Sequence, residues 1–89
     1  MGRGYERNYR TDIQLRSEYY ILCTDATGRS FAIRRGDDII VHLKSGIQYR
    51  GTVQKVGTKH IILKTEDGTV QVQWDSPKIV DSIDLILSK

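Results

Sequence analysis

Arginine and tyrosine interleave at the start of the chain, at Arg3, Tyr5, Arg7, Tyr9 and Arg10. A guanidinium fork binds phosphate in a bidentate way, and an aromatic ring stacks on a base for ~1–3 kcal/mol per base in single-strand binders. The chemistry on offer is capture of RNA or single-stranded DNA, and the same composition also makes a solvated tail. Four further places add to it. Lys59 and His60 fall on a turn between two strand-like runs, Arg34-Arg35 and Lys78 are available as phosphate contacts or as solvated charges, and Trp74 stands beside the chain break Asp75-Ser76-Pro77. At that position the Trp74 ring can serve as a stacking platform, although its parity with Val70 and Val72 assigns it to the core.

Catalytic and metal chemistry find no comparable pattern. Cys23 is the only cysteine and His42 and His60 the only histidines, so no disulfide and no common four-ligand zinc set forms within one chain. No nucleophile motif or phosphate-cradling loop is present, and the pair Asp37-Asp38 follows Gly36 as turn chemistry. The expectation is a protein that is not an enzyme and carries no cofactor or metal. Cys23, inside the apolar run YYILC, reads as a small buried hydrophobe.

Charge is uneven along the 89 residues. Seven arginines precede Gly36 against four acids, whereas from Gly36 onward basic and acidic residues cancel and Arg50 is the only arginine. An arginine-biased leading segment points to an acidic partner. No apolar run reaches the ~20 residues of a membrane span and the N-terminus lacks a signal-like apolar region, which predicts a cytoplasmic protein with a reduced thiol.

The elements that must position these groups are short strands. Residues 1–11 show no apolar periodicity and are expected to form a flexible arm, leaving 12–89 as one small β domain. Glu18 to Thr24 is rich in strand formers, Thr11 to Ser17 is open between helix and strand, and Ser30 to Ile33 follows the turn DATG. Asp38 to Lys44 alternates cleanly, with Ile39, Val41 and Leu43 on one face. Past the Ser45-Gly46 turn, Ile47, Tyr49, Gly51 and Val53 share a face while Val56 falls on the opposite parity. One extra residue absorbed between Gly51 and Val56 restores the pattern, so a bulge or bend is predicted there. His60 to Thr65, Thr69 to Trp74 and Ile79 to Leu87 complete the set, separated by Glu66-Asp67-Gly68 and by the proline break. Five to seven short strands at such spacing describe a small barrel or sandwich, and the bent strand favours a barrel.

Leu43, Gly46, Tyr49, Gly51, Val53 and Val56, followed by Ile61, Ile62 and Leu63, resemble the first motif of the Sm-like (Hfq-like) family of small barrels. The hairpin TEDGTVQVQW and the closing run KIVDSIDLI match the lengths of that family's fourth and fifth strands. Where the family carries an acidic residue and an asparagine in its nucleotide loop, this chain has Gly57 and Ile61. The opening GDDIIV, with Gly46, Gly51 and Val53, also resembles KOW-type domains, and both resemblances imply an all-β, SH3-like barrel. They further imply RNA or another single-stranded nucleic acid as partner, and the Sm-like resemblance alone implies homo-oligomers built through exposed edge strands. The reading from another class is a protein-interaction barrel that receives a peptide and binds no nucleic acid.

Overall fold

A computed structural model describes residues 4–9, 12–17, 19–24, 27–76 and 78–87. Among these residues the regular structure is entirely strand: β1 (Gly4–Tyr9), β2 (Asp12–Ser17), β3 (Tyr20–Thr24), β4 (Ser30–Arg34), β5 (Asp38–Leu43), β6 (Gln48–Val56), β7 (Ile61–Thr65), β8 (Gly68–Val72) and β9 (Val80–Leu87). They build two antiparallel sheets, one of six strands in the order β1-β9-β5-β6-β7-β8 and one of three in the order β2-β3-β4. The expected all-β architecture is therefore present. Nine strands replace the expected five to seven, and the larger sheet is not closed, since β1 and β8 are its two edges.

The extra strands come from the leading segment. Residues 12–17, open between helix and strand in the sequence, pair with β3, and Ile13 and Leu15 alternate toward the core as a strand requires. Gly4–Tyr9, expected to lie in a flexible arm, is a strand laid antiparallel along β9, from Gly4 opposite Leu87 to Tyr9 opposite Ser82. Backbone pairing to an open sheet edge needs no apolar alternation, and so the composition gave no sign of it. Met1 to Arg3, Arg10 and Thr11 lie outside the described residues.

The bend in β6 organises the larger sheet. Gln48 to Thr52 pair with β5 and Thr52 to Val56 pair with β7, so that only Thr52 stands in both ladders. At Gly51 a Cβ would meet the Lys64 carbonyl oxygen at 2.5 Å, and the missing side chain is what lets β7 cross so closely. Farther on, the register slips between Val53 and Lys55, which makes Gln54 the extra residue the parity demanded. Val53 and Val56 are consequently both buried.

The core lies between the sheets. Ile13, Ile21, Cys23 and Ile33 from the small sheet join Ile39, Val41, Val53, Val56, Ile61, Leu63, Val72, Val80 and Ile83 from the large one, with Trp74 beyond the end of β8. Two packed layers each bury the apolar face the other presents. The turn after β4 locks them together: Gly36 N donates to Val53 O at 2.8 Å, and Val53 N donates to Asp37 O at 2.9 Å. Ile47, expected on the buried face of the bent strand, falls in the turn before it and is exposed. No helix among the described residues is long and apolar enough to cross a membrane.

On the opposite face of β5 and β9 a polar seam is buried. His42 Nε2 donates to Asp84 Oδ2 at 2.9 Å, Asp84 is 2% exposed, and Ser82 stands across the ladder from His42. Truncating Asp84 leaves the His42 ring nitrogen without this partner, and the loss of such a hydrogen bond typically costs ~1–3 kcal/mol. Asp84→Ala should destabilise by that order in chemical denaturation, and a double-mutant cycle with His42→Ala should show the two losses to be non-additive. Gly51→Ala should cost ~1–3 kcal/mol by forcing β7 away from β6, read as a lowered melting temperature.

Candidate nucleic-acid interface

The hairpin joining β6 to β7 is shaped by glycine and braced by tryptophan. Gly57 N donates to His60 O at 2.8 Å and closes the turn over Thr58 and Lys59. Trp74 holds that turn from beneath, its backbone N donating to Lys59 O at 3.0 Å and its indole Nε1 donating to Gly57 O at 3.0 Å. The tip is thereby fixed to the chain that follows β8, and Lys59 is left exposed. Trp74 itself is 4% exposed, so the alternative of a stacking platform is overturned in favour of the core reading. The indole has a buried apolar body and a single donor, and both are satisfied inward.

His60 is half-buried and its ring lies against Gly57. A Cβ at Gly57 would stand 3.3 Å from His60 Nε2 and 3.4 Å from Cδ2. Beside it opens a hollow of about 350 Å³ lined by Leu15, Lys55, Val56, Gly57, Thr58 and His60. The wall contributed by β2 means that the two sheets make this hollow together. Lys55 sits on its rim because of the bulge: without Gln54 as the extra residue, Lys55 would share the inward parity of Val53.

A second group of cations adjoins the same end of the small sheet. Ser17, Tyr20 and Arg34 stand in one row across β2, β3 and β4, with Arg16 at the irregularity just before Ser17. The Arg34 guanidinium lies over the Tyr20 ring, 5.0 Å from its centroid, and Arg34 N donates to Asp37 Oδ2 at 2.9 Å. Arg35 is exposed, as is Tyr19 at 72%. The bonds from Gly36 and Asp37 to Val53 bring this turn against β6 two residues ahead of Lys55. Such a surface offers guanidinium and ammonium groups for phosphates and a tyrosine ring for a base.

Not every expected residue joins it. Lys78 is exposed but lies by the β5–β6 turn, where Lys44 N donates to Ile79 O at 2.9 Å. Tyr5, Arg7 and Tyr9 occupy alternate positions of β1, in register with Ile86, Asp84 and Ser82. Arg3 and Arg10 lie outside the described residues. Conversely, Arg16, Tyr19 and Lys55 belong to the surface and were not singled out from the sequence. The parity break between Val53 and Val56 was the signal for Lys55, since the residue after a bulge changes face.

A separate groove of about 540 Å³ follows the bend of β6, with Tyr49, Gly51 and Val70 along it and both signs of charge around it, from Arg50 and Lys64 to Glu66 and Asp67. No group of three or more metal-ligating side chains occurs among the described residues. No family model matches the chain, and neither the curated proteins nor the solved structures give a match.

Gly57→Ala should strain the turn and reshape the hollow, because the added Cβ would meet the His60 carbonyl oxygen at 2.9 Å as well as the His60 ring. The expected readout is a set of amide and ring shifts in NMR spectra confined to residues 55–60, Leu15 and Trp74.

Proposed function

We propose that the protein is a non-catalytic, cytoplasmic module that binds single-stranded nucleic acid, RNA foremost, on the surface around the β6–β7 hairpin. The observation that carries this reading is the hollow lined by Lys55 and His60, with the exposed Lys59 at the tip of the same hairpin and the turn that follows Arg34 and Arg35 bonded to Val53 two residues before Lys55. Cations of that spacing neutralise successive phosphates, while the hollow and the exposed Tyr19 ring receive unstacked bases. The arm residues Arg3, Tyr5, Arg7, Tyr9 and Arg10 would extend the same electrostatic capture along the strand of RNA.

The fold supports an SH3-like, Sm-like reading of the domain from Asp38 onward. Strands β5 to β8 run as a meander around a bent β6, and the last strand returns to pair with β5. The β6–β7 tip and the chain after β8 are bonded together at Lys59 and Trp74, which gives a loop surface of the kind this reading needs.

The alternative, a protein-interaction barrel, is favoured by one observation: the 540 Å³ groove at the β6 bend lies next to β8, whose outer edge pairs with no strand among the described residues. An extended peptide could add to that edge and place side chains in the groove.

Titration of the full chain with a short fluorescent single-stranded RNA across a salt series separates the two. Affinity should fall steeply with salt, each neutralised phosphate contributing a slope of about 0.7 in the log–log plot. Lys55→Ala with Lys59→Ala should weaken binding and flatten that slope by roughly one to two contacts, whereas Arg50→Ala in the groove should leave both unchanged. Absence of binding at low salt would sink the nucleic-acid reading.

A further inference from the structure

Two exposed turns meet at the end of β5, and neither takes part in the surface around the hairpin. Leu43 N donates to Ile47 O at 2.8 Å and the next amide, Lys44 N, donates to Ile79 O at 2.9 Å, so consecutive residues hold the turn 44–47 beside the segment 78–79. Lys44, Ser45, Gly46, Ile47, Lys78 and Ile79 are all exposed. Among the described residues three large apolar side chains are exposed, and two of them, Ile47 at 51% and Ile79 at 41%, stand on this tip. The nine residues of β6 lie between it and the hairpin.

Charge and backbone pairing narrow what such a tip can meet. The stretches LKSGIQ and SPKIV contain two lysines and no acid, and Asp75 and Asp81 fall just outside them. Further amides are paired within the tip: Gly46 N donates to Leu43 O at 2.9 Å, and Ile79 N and Val80 N both donate to Ser76 O at 3.1 Å. A strand finds no open row of groups to add to here, and neither hollow described above includes a residue of the two turns. The exposed apolar side chains are aliphatic rather than aromatic, which removes base stacking as their use. Backbone groups that are already paired suit contact with an apolar medium, where an unpaired amide is costly.

We infer that this tip is a membrane-contact site, at which Ile47 and Ile79 enter the interfacial layer of a bilayer while Lys44 and Lys78 meet anionic headgroups. Apolar burial and lysine attraction are the two terms that hold a protein to such a surface. Lysine stems lie along the apolar layer and keep the ammonium at headgroup level. Two half-exposed isoleucines bring less apolar surface than one myristoyl chain, whose binding constant is only ~10⁴ M⁻¹, so the contact is weak and reversible. The inference is independent of whether nucleic acid is bound.

Co-sedimentation of the full chain with vesicles of equal parts phosphatidylcholine and phosphatidylglycerol, at a few millimolar lipid, tests it. The chain should pellet with these vesicles and not with pure phosphatidylcholine. Ile47→Ser with Ile79→Ser keeps every charge and should lower the partition coefficient about tenfold, whereas Ile47→Leu with Ile79→Leu should leave it unchanged. Lys44→Gln with Lys78→Gln should lower it about fivefold per lysine. The serine effect should persist in a chain that also carries Lys55→Ala and Lys59→Ala, which separates the tip from general attraction of the hairpin cations. Trp74 fluorescence reports whether each variant keeps its core. A spin-labelled phosphatidylcholine in the same vesicles needs no variant, and it should broaden the Ile47 and Ile79 methyl signals more than those of Leu15 at the hairpin hollow. The inference is overturned if the serine chain partitions as well as the unaltered one, if pure phosphatidylcholine binds equally, or if the Leu15 methyls broaden most. Failure to pellet with anionic vesicles also overturns it and assigns the tip to a folded protein partner.

Discussion

A single strand that must serve two neighbours in succession governs this structure. β6 gives its first half to β5 and its second half to β7, and the two ladders share only Thr52. A strand used in this staggered way has to curl, and curling brings β7 over Gly51 until no side chain fits between them. Thr52 then ties the curl to its neighbour, its Oγ1 donating to Asp38 Oδ1 at 2.7 Å. The groove, the hairpin at Gly57 and the position of Trp74 are all consequences of where the second half of β6 is sent.

The curl leaves an apolar concavity that one open sheet cannot close, and the small sheet supplies the lid. Ile21 and Ile33, adjacent across β3 and β4, are fully buried, and the turn from Arg34 to Asp37 donates and accepts backbone hydrogen bonds at Val53. That attachment lies one residue before the bulge. The element that seals the core is thus the same one that delivers Arg34 and Arg35 to the hairpin surface, and the cation cluster follows from the packing of two layers.

What the sequence revealed and what it hid divide along the same line. Alternation in Asp38 to Leu43, the turns at Ser45-Gly46 and Glu66-Asp67-Gly68, and the parity break before Val56 are local signals, and each corresponds to an observed element. β1 was hidden because its partner is β9, more than seventy residues away, and because an edge ladder asks nothing of side-chain periodicity. β2 was ambiguous because a six-residue run with two aliphatic side chains fits either period. Among the site residues, Lys59 and His60 were legible as a hairpin tip. Lys55 and Arg16 were not, because their exposure depends on irregularities in strands whose register is set by distant partners.

The bulge at Gln54 couples stability to surface chemistry. One inserted residue turns Val56 into the core and Lys55 out to the hollow; if Gln54 were instead paired as an ordinary ladder residue, the two would exchange faces, burying an ammonium and exposing an aliphatic side chain. A regular ladder here would be easier to pair, yet it would remove the cation from the rim and straighten the strand on which the curl depends. The sheet keeps an irregularity at the one place where its core and its candidate binding surface are adjacent in the chain. That placement fits the general pattern that bulges re-aim side chains beside functional sites.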